Sequence, residues 1–295
     1  MASDKNSPDT AARARKSHRQ KRLLTGLIGA PVALALVFFL PPLAFFGLIL
    51  AVFTLAAFEY VRLARHWAPS APLASLLAWV PLAACALFWP LDRGLETESL
   101  GMWLVVAGAV VAVGPACTVL FARSVREPEA FIGIGVLAFG IPYFALPTVC
   151  VARLQGLDPW LLFLLLAIVW LGDTAAFYVG SRIGRHKMAP KVSPNKSWEG
   201  AVAGFAAGLG ATAVWSWWRL GEIPAGLLAV AALTAIAAQI GDLVESVIKR
   251  GAGVKDSSDL LPGHGGIFDR MDAMLLAAPV FLLGLWVLGL GPVVR

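Results

Sequence analysis

Between Ala225 and Asp272 the chain reads AGLLAVAALTAIAAQIGDLVESVIKRGAGVKDSSDLLPGHGGIFDRMD, and two features of this stretch decide the fold. Its first part is an uncharged apolar run close to the ~20 residues that cross a bilayer as a helix. The run then continues without a break into Asp242, Glu245, Ser246 and Lys249, spaced i, i+3, i+4 and i+7 and so sharing one helical face. Ionisable groups inside a span cost about a few kcal/mol each and point to function by default. The sequence predicts a membrane helix that delivers polar side chains to one of its ends.

The whole chain has the same character. Of its 295 residues, 59% are hydrophobic and 14% are charged, against roughly 25% charged in soluble domains; mean hydropathy is +0.77. Cys85, Cys117 and Cys150 are too scattered for a disulfide framework or a zinc site. Apolar windows fall near 23–40, 43–61, 72–90, 100–121, 131–151, 160–180, 200–220, 224–248 and 273–292. The expectation is an all-α, polytopic integral membrane protein with about nine transmembrane helices. Its parts are a basic disordered tail (1–22), N-terminal transmembrane helices (23–151) and a C-terminal transmembrane catalytic region (152–295).

Loop charge sets the orientation. With a cytoplasmic N-terminus, all but four of the 24 Lys and Arg residues face inward, leaving Arg93, Arg153, Arg219 and Arg295 outside. The C-terminus is then outside, and the loops around Lys187–Lys196 and Lys249–Asp272 are cytoplasmic. Trp160, Trp215, Trp217 and Trp218 fall at the outer interface, where aromatic belts sit. The tail, with seven basic residues against Asp4 and Asp9, reads as lying on an anionic leaflet rather than on nucleic acid.

Glu59, Asp173, Asp242 and Glu245 all lie in the cytoplasmic parts of their helices, and Asp269 and Asp272 open the ninth span from the same side. Glu59, near Arg62, is expected to be a structural ion pair or snorkelling residue. The others form a group, and the loop between the last two spans says what it is for. Gly263, Gly265 and Gly266 let backbone amides approach an anion. Lys249, Arg250, Lys255 and Arg270 can neutralise phosphate, and Asp242 and Asp269 offer the oxygen ligands that Mg²⁺ takes. His264, flanked by glycines, is a candidate phosphate contact. The loop after span six repeats the theme through Arg182, Lys187, Lys191 and Ser193-Pro194-Asn195-Lys196-Ser197-Trp198-Glu199-Gly200, with Ser197 or Asn195 capping the next helix and Glu199 in its first turn. A helix N-terminus facing such a loop suits phosphate. No P-loop, dinucleotide fingerprint, HExxH or GxSxG element is present in the sequence.

These residues carry a resemblance. The stretch Ser246–Asp272 resembles the signature of phosphatidate cytidylyltransferases (CDP-diacylglycerol synthases) in Ser246, Lys249-Arg250, Lys255-Asp256, Ser258, Leu261-Pro262, His264-Gly265-Gly266 and Asp269-Arg270-Met271-Asp272. Gly241–Ser246, the Asp173 helix and the Ser193–Gly200 segment are similar too, while the resemblance before residue 170 is architectural. Ser197 stands where threonine is usual, and Ala203-Gly204 where a glycine pair is expected. The resemblance implies cytidylyl transfer from CTP to phosphatidic acid, giving CDP-diacylglycerol and pyrophosphate. It also implies Mg²⁺ on Asp242 and Asp269, with Asp173, Glu245 and Asp272 as further candidate ligands, and it allows a K⁺ ion beside the magnesium and a homodimer. The candidate catalytic residues are Lys249, Arg250, Lys255, Asp256, His264 and Arg270; the candidate substrate-binding residues are Ser193, Lys196, Ser197, Glu199, Ser246, Gly265 and Gly266. The implied setting is the cell (inner or plasma) membrane, among its lipids.

The chemistry suits such residues. A phosphate monoester, with a second pKa near about 6, is mostly a dianion at neutral pH and attacks without a strong base. Charge neutralisation and in-line alignment are then the main requirements. A CTP-dependent polyprenol or phytol kinase is the competing enzyme, and a transporter of anionic solutes the competing class. The paired broken helices that a transporter would need are not found.

Overall fold

Apolar sequence becomes helix almost throughout the computed structural model, which describes residues 29–92, 108, 111, 113–122, 125–258, 260 and 265–290. In chain order the helices are α1 (Gly29–Phe39), α2 (Pro42–Ala64), α3 (Leu76–Asp92), α4 (113–120), α5 (Glu127–Leu157), α6 (Pro159–Ile183), α7 (Trp198–Leu220), α8 (Ala225–Gly251) and α9 (Phe268–Val287). Of the described helices, α2, α5, α6, α8 and α9 are long and apolar enough to cross a membrane. The surface agrees: Phe39, Phe121 and Phe131 are 85%, 84% and 83% exposed, and so many bare apolar side chains suit lipid rather than water. This is an α-helical membrane protein. The basic tail, half of the window at 100–121 and part of that at 23–40 lie outside the described residues.

Sequence chemistry fixes the helix ends. Asp158 caps α6, accepting from the Trp160 amide at 2.9 Å, with Pro159 at the first position. Ser197 caps α7, accepting from the Gly200 amide at 3.2 Å, and Gly221, with φ 73°, closes it. Of the two expected caps, Ser197 is the one used. The ninth helix begins earlier than the hydropathy window suggests, because Phe268 is fully buried among the rings of Tyr60, Tyr143 and Phe144 and starts the helix there.

Small residues bring α6 and α7 together. Gly172, Ala176 and Gly180 recur every fourth residue on α6 and face Gly200 and Gly204 on α7; a Cβ on Gly204 would lie 2.7 Å from the Gly172 carbonyl oxygen. Such seams let membrane helices pack backbone to backbone, and Gly204 makes the close approach without a glycine at position 203. Across the bundle, α8 meets α9 in the same manner, since a Cβ on Gly241 would lie 2.6 Å from the Asp272 carbonyl oxygen.

One element departs from the all-helical expectation. Lys187–Ala189 (β1) and Ser193–Ser197 (β2) pair antiparallel, Lys187 opposite Ser197 and Ala189 opposite Ser193, between α6 and α7. Three and five residues are too few to show an alternating pattern, and Pro194 within β2 argues against a strand on sequence grounds.

Candidate active site

The close approach at Gly241 sets the depth at which α8 and α9 share polar side chains. Asp242 and Glu245 project from α8 and Asp272 from α9, and one oxygen from each lies within 4.8 Å of the others. Two full charges at such a distance repel by about 3–4 kcal/mol at a moderate effective dielectric. Two lysines flank the cluster. Lys196 Nζ lies 2.5 Å from Asp242 Oδ2, and Lys249 Nζ lies 2.6 Å from Glu245 Oε1 and 2.7 Å from Asp269 Oδ1. Glu245 is 1% exposed. A hard cation with oxygen ligands fits this donor set.

A cleft of about 760 Å³ opens beside the cluster. Asp173 on α6, Asp242 and Gln239 on α8, and Lys187, Ser193, Asn195, Lys196 and Ser197 on the ribbon line it. Gly180, Gly184 and Gly200 complete the wall without side chains; a Cβ at Gly184 would overlap the Ser197 hydroxyl. Ribbon and helices therefore bring Ser193, Lys196, Ser197, Asp173 and Asp242 to one cleft.

Arg250 and Glu199 hold the ribbon in place. Arg250 Nε donates to the Val192 carbonyl at 3.2 Å, and its Nη1 donates to the Val254 carbonyl at 3.1 Å. Glu199 lies at the ribbon's base, 2.7 Å from His186 Nδ1, and accepts from the His186 amide at 3.1 Å. Its carboxyl is held down to about 2, first by its own backbone N–H and then by the His186 ring and amide. Neither residue is part of the cleft lining.

The signature loop folds over the far side of the cluster. Asp269 accepts from the Ser257 amide at 3.0 Å and the Gly266 amide at 2.7 Å, and its Oδ2 lies 3.0 Å from the Ser257 hydroxyl oxygen, so with Lys249 its carboxylate is the loop's centre. Gly265 has φ 77°, and a Cβ on it would crowd Asp269. Lys255, Asp256 and Arg270 are exposed, and Ser246 is half-buried on α8; none of them lines the cleft. His264 lies outside the described residues.

Glu59 is the residue that sequence reasoning undervalued. It is 2% exposed, and its partners are not Arg62 but Ser257, Ser258 and the first amides of α9. Its charge within a span was the only signal. Gln239 and Phe177 are further cleft residues that the sequence did not single out, whereas Lys187 belongs to the basic loop it did.

Comparison with known proteins agrees with this geometry. A model of the cytidylyltransferase family matches residues 20–288. The phosphatidate cytidylyltransferase of Pseudomonas aeruginosa is 35% identical over 275 residues, covering 92% of this chain and 98% of that protein. That of Bacillus subtilis is 30% identical over 277 residues, covering 90% and 98%. That of Brucella suis is 36% identical over 214 residues, covering 70% and 72%. With a family match over nearly its whole length, the chain belongs to the cytidylyltransferase family and is a nucleotidyltransferase enzyme.

Proposed function

We propose that the chain is a CTP:phosphatidate cytidylyltransferase acting at the cytoplasmic face of the cell membrane. A phosphate oxygen of phosphatidic acid bonds to the α-phosphorus of CTP as the bond from that phosphorus to pyrophosphate breaks in line, leaving CDP-diacylglycerol and pyrophosphate. The observation that carries the reading is the convergence of three carboxylates on the edge of a lysine-lined cleft at one end of α6, α7 and α8. The names of the full-length relatives support the substrate pair.

Each part of the site has work that suits this reaction. Lys187 and Lys196 bring positive charge to a triphosphate in the cleft, and the bare wall at Gly180, Gly184 and Gly200 admits phosphate close to the backbone. The N-terminus of α7, at the cleft edge, adds its dipole. Lys249 ties Glu245 on α8 to Asp269 at the start of α9. No proton abstraction is needed, because the acceptor phosphate is already ionised.

Asp242, Glu245 and Asp272 are the residues placed to hold Mg²⁺, with Asp173 and Asp269 as neighbouring carboxylates. Bound there, Mg²⁺ would polarise phosphoryl oxygens and offset charge on the departing pyrophosphate. A K⁺ companion rests on the family resemblance alone. Nine spans with the N-terminus inside rest on the loop charges. The structure is consistent with that topology, with Asp158, Arg219 and Trp160 clustered at the opposite end of α6 and α7 from the cleft.

The test is CTP labelled at the α- or γ-phosphate, supplied with phosphatidic acid to the purified protein in detergent. Label from the α position should enter lipid, and label from the γ position should leave as pyrophosphate. Transfer of γ label to lipid would make the protein a kinase and overturn the reading.

A further inference from the structure

The helix that carries Asp269 and Asp272 lacks the usual local start. No Ser, Thr, Asp or Asn precedes it; Ile267 stands at the cap and makes no side-chain cap bond. The first amides of a helix need acceptors from somewhere. Here they come from α2, some two hundred residues away in the chain. Glu59 Oε2 accepts from the Phe268 amide at 2.8 Å and from the Ser257 hydroxyl at 2.8 Å. Its Oε1 accepts from the Ser258 hydroxyl at 2.5 Å and from the Ile267 amide at 3.2 Å. A carboxylate has about four lone-pair positions, and Glu59 uses all of them on the two ends of one loop.

The consequence reaches the metal-binding face through Ser257. Its hydroxyl lies 2.8 Å from Glu59 and 3.0 Å from Asp269 Oδ2, and its amide donates to Asp269 at 3.0 Å. Gly266 fits between them because a Cβ there would overlap both the Ser257 hydroxyl and the Glu59 carboxylate. Nothing in this arrangement brings Glu59 to the cleft itself.

We infer that Glu59 is a positioning residue: it supplies the cap of α9 from α2 of the same chain and, through Ser257 and the loop ends, sets where the Asp269 carboxylate faces. The inference rests on the nucleotidyltransfer reading for its kinetic consequence but not for its structural one. A carboxylate misplaced by about an ångström costs on the order of 10²-fold in rate, whereas a defect in stability alone lowers the active fraction and leaves half-saturation values unchanged.

Glu59→Gln, studied as full-length protein in detergent, replaces an all-acceptor group by one that offers a single acceptor oxygen and two N–H donors. Its kcat should fall about 10–100-fold, with a several-fold rise in the Mg²⁺ concentration that half-saturates the reaction. Glu59→Asp should recover part of the loss. Gln155→Leu removes buried bonds to Val37 and Leu40 far from the loop; it should lower Tm while leaving KM for CTP and the Mg²⁺ requirement unchanged. Hydrogen exchange at Ile267 and Phe268 in metal-free, substrate-free protein is the second readout, and both amides should exchange faster in Glu59→Gln than in wild type. If Glu59→Gln fails to fold, Ser257→Ala with Ser258→Ala removes the two hydroxyl bonds to Glu59 and leaves those from the Ile267 and Phe268 amides. It should lower kcat and raise the Mg²⁺ requirement in the same sense, by less, and unchanged values in both would overturn the inference. Wild-type kcat and Mg²⁺ requirement with protected amides would overturn the inference, as would a loss that follows Tm alone in the manner of Gln155→Leu. Failure of α-label transfer by the wild type would count against the functional reading, while the exchange result would still decide whether Glu59 caps α9.

Discussion

Asp242 and Asp269 are both carboxylates of the signature region, yet their surroundings differ. Asp242 belongs to the convergent cluster and has Lys196 as its counter-ion; Asp269 is surrounded by donors from the loop and Lys249. Asp242→Asn removes charge with almost no change of volume, so its main effect should be on turnover, a loss of about 10²–10³-fold by analogy with deleting one preorganised electrostatic group. The thermal readout separates binding from chemistry. Mg²⁺ should raise the Tm of the wild type by mass action, and that rise should shrink in Asp242→Asn. Asp269→Asn should lose comparable activity but also lower the Tm without metal, because the Ser257 and Gly266 amides lose a charged acceptor. Full turnover and an undiminished Mg²⁺ response in folded Asp242→Asn would remove it from the metal site.

At the scale of elements, the glycine seam between α6 and α7 holds the two helices from which the ribbon hangs. Gly204→Val would push a side chain into the Gly172 carbonyl, only 2.7 Å from the new Cβ. Overpacking of this kind costs about 1–3 kcal/mol, and separation of the helices should also widen the cleft and raise KM for CTP. Thermal unfolding beside CTP titration measures both, and an unchanged pair of values would show that the seam tolerates a branched residue. This level also shows what could be read beforehand. Helices α2, α5, α6, α8 and α9 were legible because bilayer-length apolar runs satisfy their backbone groups as helices, and Ser197 was legible as a cap because its chemistry is local. The ribbon was not, since its pairing depends on Arg250 and Glu199 reaching it from helices on either side. The site was legible in part: the polar face of α8 follows from helical spacing. The grouping of Asp242 and Glu245 with Asp272 rather than with Asp269 depends on how close Gly241 lets α9 come. Glu59 gave no hint of its partners, which lie 198 to 209 residues further on.

For the molecule as a whole, both polar loops share one end of the bundle, and the topology proposed from the loop charges predicts that this end faces the cytoplasm. In a protein with Cys85, Cys117 and Cys150 replaced, Lys191→Cys on the exposed turn of the ribbon should resist impermeant thiol reagents added to intact cells and react after the membrane is opened. Labelling from outside would invert the topology. The bond network of Glu59 has a consequence for how such a chain matures. Helices α2 to α8 can enter the bilayer before Ser257, Ser258 and the start of α9 have emerged from the ribosome, so the Glu59 carboxylate lacks these partners while the preceding helices insert. The acidic cluster is completed only when α9 arrives with Asp272, and on the proposed function a chain truncated before Phe268 should insert without cytidylyl-transfer activity.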